Sequence, residues 1–240
     1  MVKRYKIADI VFDAQFLYAY TPHICKEFLY SGKESPKFFI DITKQAVENE
    51  YSPDNESNLP EFLESIAFFR ALLDNLLEYN AIVFHSSVVA VNGYAYMFTA
   101  PSGTGKSTHT RLWRELLKDK AVMINDDKPI IRFVDGEFYV YGSPFKGKHS
   151  LGENTKAKIK AICKISQAKE NSIVKTTSQE ILPTLLNQTL RPDQSEKMDK
   201  LISIIINMLN KVSMYHLKCN TDISSARLSY QTMSGVKNED

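Results

Sequence analysis

Asn92-Gly93 separates two runs rich in apolar and β-branched residues, I-V-F-H-S-S-V-V-A-V (82–91) and Y-A-Y-M-F-T (94–99). Asn-Gly is the preferred pair for a two-residue hairpin turn, because both turn positions need φ above zero. The pair therefore predicts an antiparallel hairpin with Val91 opposite Tyr94 and His85 opposite Ala100. The second strand ends at A-P-S-G-T-G-K-S-T (100–108), and Leu112, Trp113, Leu116 and Leu117 then mark one face of a helix.

A phosphate-holding loop needs backbone N–H groups that point inward, glycines that let the backbone approach, a lysine for the terminal phosphates and a hydroxyl for Mg²⁺. The segment Pro101, Ser102, Gly103, Thr104, Gly105, Lys106, Ser107 and Thr108 supplies all four. It departs from G-x-x-x-x-G-K-[ST] in one respect, since Ala100 stands at the first glycine position. The next strand, V-M-I-N (122–125), delivers Asp126-Asp127, where one carboxylate could ligate Mg²⁺ and the other accept a proton from a hydroxyl. His85, placed about 5 Å from the start of the loop by the hairpin register, would assist the acid or the phosphates. Lys128 directly follows the acids and could neutralise transferred phosphate.

The loop G-S-P-F-K-G-K-H (142–149) mimics a second phosphate loop, but His149 replaces the hydroxyl and no amphipathic helix follows. Its Lys146, Lys148 and His149, with Arg191 further on, would draw an acceptor bearing negative charge. His23, His109 and His216 have no metal-ligand spacing and read as structural.

The remaining pattern predicts strands over 4–12 and 37–43, a loop or linker over 46–58, and an amphipathic helix from Leu59. After the acids it predicts a hairpin turning at Asp135-Gly136 and a strand near 158–165. Helices near 178–190 and 195–210, a strand over 212–218, a helix from Ile223 and a frayed V-K-N-E-D tail complete it. A chain of 240 residues with formal charge +2 implies no strong attraction to nucleic acid or membrane. Cys25, Cys163 and Cys219 are too scattered for a disulfide framework, and Asp9 and Asp13 interrupt any signal-peptide core, so a soluble, cytoplasmic protein is expected.

S-G-T-G-K-S-T after a hairpin, a histidine opposite the loop and N-D-D-K-P after the next strand resemble the catalytic domain of HPr kinase/phosphorylase and, more distantly, phosphoenolpyruvate carboxykinase. The resemblance is closest to small members of that group that phosphorylate peptides or small molecules. It runs over about residues 80 to 235 by order of elements, and its motifs lie in 85–128 and the G-S-P-F-K-G-K loop. It implies that Ser107 and one acid of the pair bind Mg²⁺ while the other acid acts as base with the histidine. On that basis Asp126 is assigned as base, paired with His85, and Asp127 as metal ligand, with the reverse assignment open. No docking loop for the HPr carrier protein is found, and residues 1 to about 80 match no known pattern.

The expected fold is α/β, with the phosphate loop on a mixed, hairpin-containing sheet (81–240) and a small N-terminal α+β region (1–80). The expected function is Mg²⁺-dependent transfer of a phosphoryl group from ATP, or GTP, to a hydroxyl of a peptide, small protein or small hydroxy acid. A nucleotide-sensing module without efficient transfer and a carboxykinase-type lyase are the alternatives, and self-association into a homo-oligomer stays open.

Overall fold

The computed structural model describes residues 2–192 and 195–236, and the chain divides into two units, one running to Tyr79 and the other starting at Asn80. The expected frayed tail begins at Val236, and residues 237–240 lie outside the described residues.

In the first unit, residues 4–12 do not form the single strand that their composition suggests. Ala8 and Asp9 take φ of 52° and 58°, which folds the run into a hairpin of β1 (Val2–Ile7) and β2 (Ile10–Gln15). Ala8-Asp9 is not one of the usual turn pairs, so composition conceals it. After α1 (Tyr20–Ile24), β3 (Phe39–Asp41) joins β2 in parallel to complete a three-stranded sheet. α2 (Lys44–Glu48), capped by the Thr43 hydroxyl, occupies the start of the segment expected to be a loop. α3 (Pro60–Leu76) opens on a proline whose missing N–H costs nothing in the first turn. The helix is where the apolar spacing of Phe62, Ile66, Phe69, Leu73, Leu76 and Leu77 predicts one, but the face it buries is the neighbouring stripe of Leu63, Ala67, Phe68, Leu72 and Leu76, with Phe62, Ile66, Phe69 and Leu73 only half-buried.

The second unit holds β4 (Ala81–Val83), β5 (Ser87–Val91), β6 (Tyr94–Thr99), α4 (Lys106–Leu117), β7 (Ala121–Asn125), β8 (Ile130–Val134) and β9 (Glu137–Tyr141). It continues through β10 (Lys156–Gln167), β11 (Ser172–Lys175), α5 (Ser178–Gln188), α6 (Ser195–Lys211), β12 (Ser213–Cys219) and α7 (Ile223–Ser234). Residues 82–91, expected as one strand, are therefore two. β4 pairs with β8 at one edge of a nine-stranded mixed sheet, while β5 pairs with β6 and β7 at the other. The short β11, paired with β12, has no counterpart in the sequence reading.

The β5–β6 hairpin has the register that Asn92-Gly93 dictates, from Val91 opposite Tyr94 to Ser87 opposite Phe98. On its other edge, β6 pairs in parallel with β10. β10 branches the sheet: Lys156–Lys158 pair antiparallel with β9, and Ala161–Gln167 pair in parallel with β12. The order is β4-β8-β9-β10-β6-β5-β7, with β12 and β11 leaving the path at β10.

One face of this sheet packs on α4 and α7. Alternate residues Val89 and Val91, Tyr96 and Phe98, Cys163 and Ile165, and Leu217 meet Leu112 and Trp113 of α4 and Ala226 and Met233 of α7. Each fully buried side chain of this size is worth roughly 1.5–3 kcal/mol, so this layer seats α4 firmly. Trp113 Nε1 donates to the Ser229 hydroxyl at 2.8 Å, and His109 Nε2 lies 2.9 Å from the same oxygen. Burial pushes the His109 imidazole down to about 4. His216 instead meets Ser166, at 2.9 Å. The three cysteines are free thiols, all buried. Among the described residues no helix is long and apolar enough to cross a membrane.

Candidate functional site

The segment 100–105 leaves the end of β6 and turns directly into α4. Gly105, the residue before the helix, takes φ 114°, a conformation that side-chain-bearing residues rarely adopt. Because the N-cap residue of α4 is a glycine, it offers no side-chain acceptor to the first-turn N–H groups. Lys106 is buried and folds back across the loop, with Nζ donating to the carbonyls of Ala100 at 2.8 Å and Pro101 at 3.4 Å. Burial lowers its pKa, and Asp127 and then Asp126 act in the opposite direction. The Pro101 carbonyl also accepts from the Thr104 N–H. Ser102, Gly103 and Ser107 are exposed, and Thr104 and Thr108 are half-buried.

Asp126 and Asp127 follow β7 in a turn organised by Asn125, which is fully buried. Asn125 Oδ1 accepts the N–H groups of Asp127 (2.9 Å) and Lys128 (2.8 Å), and its amide nitrogen donates to the carbonyl and hydroxyl of Ser143. Ser143 in turn donates to the Lys128 carbonyl at 2.6 Å. The expected basic loop is thereby fastened along the acid turn, with the Asp126 N–H on the Leu151 carbonyl and the Lys128 N–H on the Phe145 carbonyl. Gly147, at φ 70°, makes the closest approach: a Cβ there would lie 3.1 Å from Asp127 Cβ and 3.2 Å from the Asp126 carbonyl. Lys146 is half-buried, whereas Lys148 and His149 are exposed and make no ion pair with the acids among the described residues. Among the described residues, Arg191 reaches the Asn187 side chain, at 3.5 Å.

The two acids have different partners. Ser87 donates to Asp126 Oδ1 at 2.5 Å, and with its one proton so used it accepts from the Thr110 hydroxyl of α4 at 2.7 Å. Asp127 stands between two bases, with His85 Nε2 3.3 Å from Oδ1 and Lys128 Nζ 3.9 Å from Oδ2. The expected pairing of His85 with Asp126 is therefore not formed; the histidine meets the second acid. The reason lies in the break between β4 and β5. Strand pairing stops at Ser87, and His85 is held by its backbone, whose N–H donates to the Gln188 carbonyl at 2.7 Å and whose carbonyl accepts from Thr99 at 3.0 Å. Burial and the Lys106 charge lower the His85 pKa, Asp127 raises it, Lys128 lowers it and the Gln188 side chain raises it, leaving a net downward shift.

The structure thus brings His85, Lys106, Asp126, Asp127 and Lys128 into one electrostatic neighbourhood. Sequence reasoning missed Ser87, Thr110, Asn125 and Ser143. Ser87 had a signal, because a hydroxyl within an apolar strand must find a partner. Asn125 had another, since asparagine commonly bonds backbone groups two residues on.

Comparison with family models finds no match, and comparison with characterised proteins finds none. Among solved structures, the chain has a distant likeness to the Hpr(Ser) kinase/phosphatase from Coxiella burnetii. The TM-score is 0.37 and the identity 8%, covering 64% of this chain and 99% of that one.

Proposed function

We propose that the second unit is a nucleotide-dependent phosphotransferase that moves the γ-phosphoryl group of ATP to a hydroxyl. The observation that carries this reading is the buried Lys106, folded across a glycine-bearing loop at the start of α4, together with a turn of two carboxylates of which one is paired with a histidine. Residues Pro101 to Thr108 form the phosphate loop in this reading, with the α4 N–H groups and Lys106 receiving the β- and γ-phosphates.

In the transfer step the acceptor oxygen forms a bond to the γ-phosphorus as the bond from that phosphorus to the ADP oxygen breaks. The acceptor's proton goes to a carboxylate. The geometry favours Asp127 for this role, because His85 and Lys128 flank its two oxygens and fix its orientation. Asp126, oriented by Ser87, is then the carboxylate for Mg²⁺, together with the exposed Ser107 hydroxyl. Among the described residues no three of His, Cys, Asp and Glu gather into a metal-binding group. An ion held by one carboxylate and one hydroxyl would complete its shell with phosphate and water, which suits Mg²⁺. Bound there, it would offset phosphate charge.

The acceptor class that suits Lys146, Lys148 and His149 is an acidic peptide, a peptide C-terminus or a small carboxylate bearing a hydroxyl. The test is incubation with ATP, Mg²⁺ and acidic or basic serine peptides, with phosphopeptide read by mass spectrometry and Lys106→Ala as the control. Phosphopeptide from the acidic series, absent in Lys106→Ala, is the expected result. Nucleotide binding without transfer to any hydroxyl would leave a sensing module instead, and unaltered ATP affinity in Lys106→Ala would overturn the phosphate-loop reading.

A further inference from the structure

The first unit carries a concave site of its own. A cavity of about 620 Å³ opens between the start of β1, the segment 16–19 and the residues around Lys26 and Leu29. Its wall is rigidly backed. Glu64, wholly buried on α3, accepts the N–H groups of Leu17 at 2.5 Å and Tyr18 at 3.1 Å. The Phe16 ring packs edge-on against Phe68 at 5.1 Å. Leu29 is tied to Tyr5 by a backbone bridge, and the next N–H, that of Tyr30, donates to the Arg4 carbonyl at 2.9 Å. Yet the side chains on this braced backbone face water: Leu17 is 43% exposed, Tyr18 38% and Leu29 52%. These three side chains share one wall of the cavity, where a ligand's apolar group would cover them.

The polar side chains of the cavity all carry or can carry positive charge or are neutral. Lys3, His23 and Lys26 line it and no acidic residue does. Neighbouring cations are already matched, Arg4 by Asp13 at 2.7 Å and Lys6 by Glu34 at 2.6 Å. Lys3 and Lys26 form no ion pair among the described residues. Apolar wall and unmatched cations together demand a ligand with the complementary pattern. The cavity is open to solvent, and a chain segment can lay a side chain into it.

We infer that this cavity binds an acidic peptide segment, seating an aliphatic or aromatic side chain against Leu17, Tyr18 and Leu29 with carboxylates on Lys3 and Lys26. The ligand falls in the acceptor class proposed above, but its binding here needs no nucleotide.

The test uses the full chain without nucleotide and three fluorescein-labelled peptides, D-E-L-F-D-E, K-K-L-F-K-K and D-E-S-S-D-E, read by fluorescence anisotropy. The first is expected to bind at least about tenfold more tightly than either of the others. Lys3→Glu/Lys26→Glu should reverse the order of the first two while leaving the melting temperature and ATP affinity unchanged. Leu29→Asp, a second variant at an exposed position, should weaken the first peptide by a similar factor. Lys106→Ala should leave all peptide affinities intact, so this inference and the nucleotide reading fail separately. No binding of the first peptide, equal binding of all three, or indifference to both variants would overturn it.

Discussion

His85 Nε2 lies 3.3 Å from Asp127 Oδ1, and the other oxygen of the same carboxylate faces Lys128 Nζ at 3.9 Å. Asp126, one residue earlier, sees neither; its oxygen takes the Ser87 proton. Adjacent acids thus acquire unlike surroundings: β7 ends at Asn125, opposite Val88 of β5, so that Asp126 meets the Ser87 hydroxyl while Asp127 meets His85. Two side chains fix the orientation of the Asp127 carboxylate, whereas Asp126 is held by a neutral hydroxyl and, among the described residues, brings no cationic partner of its own to the site.

Asp127→Asn is accordingly expected to abolish transfer, by about 10²–10⁴-fold for loss of a general base, while ATP affinity changes little. Asp126→Asn should instead weaken Mg²⁺-dependent ATP binding. Calorimetry with and without Mg²⁺, beside initial rates, separates the two. The opposite pattern would restore Asp126 as base.

On the proposed reading, the downward shift of His85 is expected to set the acid limb of the rate profile. Its neutral form persists below the ordinary value of about 6.5, so turnover should stay level from pH 8 to that point and fall only as the ring protonates and ties Asp127 into an ion pair. His85→Gln should erase that limb. A limb unchanged in the variant would remove His85 from the chemistry.

Asn125 touches neither phosphate nor acceptor in the proposed reading, yet Asn125→Ala strands the Asp127 N–H and frees the Ser143 segment. The expected cost is about 1–3 kcal/mol, seen as a melting temperature lower by several degrees. Turnover should fall more than ATP affinity, because the acid turn and not the phosphate loop loses its support. A variant with wild-type turnover would show that Ser143 alone suffices.

Stability should also depend on pH through His109. Its folded value of about 4 lies below the unfolded value of about 6.5, so the unfolded chain binds the proton first. The contribution is complete above about pH 6.5 and is lost as pH falls toward 4, by at most about 3 kcal/mol. Urea unfolding followed by the fluorescence of Trp113, the single tryptophan, reads this directly. His109→Gln should flatten the slope; an equally steep slope would place its origin elsewhere.

What could be read from the residues followed local chemistry. Asn92-Gly93 set the β5–β6 register, and alternation and helical spacing marked most elements of the second unit. The loop's departure into α4 was legible because glycines, lysine and amphipathic helix are contiguous. Three features were not. The Ala8-Asp9 turn carries no usual turn pair, and the split between β4 and β5 lies inside an unbroken apolar run. The partner of His85 depended on that split, since the break is closed by Gln188 from α5, far along the chain. Long-range placement of this kind leaves no local trace.

β6 is an inner strand, flanked by β5 and β10, and these neighbours arise at very different times. During synthesis the β5–β6 hairpin is complete once Thr99 emerges, but the second edge of β6 stays bare until Lys158–Lys164 has been made. A bare edge is a template for any passing strand, including the same strand of a second nascent copy. A polypeptide stalled between α4 and β10 would therefore own its glycine loop and its lysine, yet carry them on a strand open to exchange. Only the arrival of β10 closes that window.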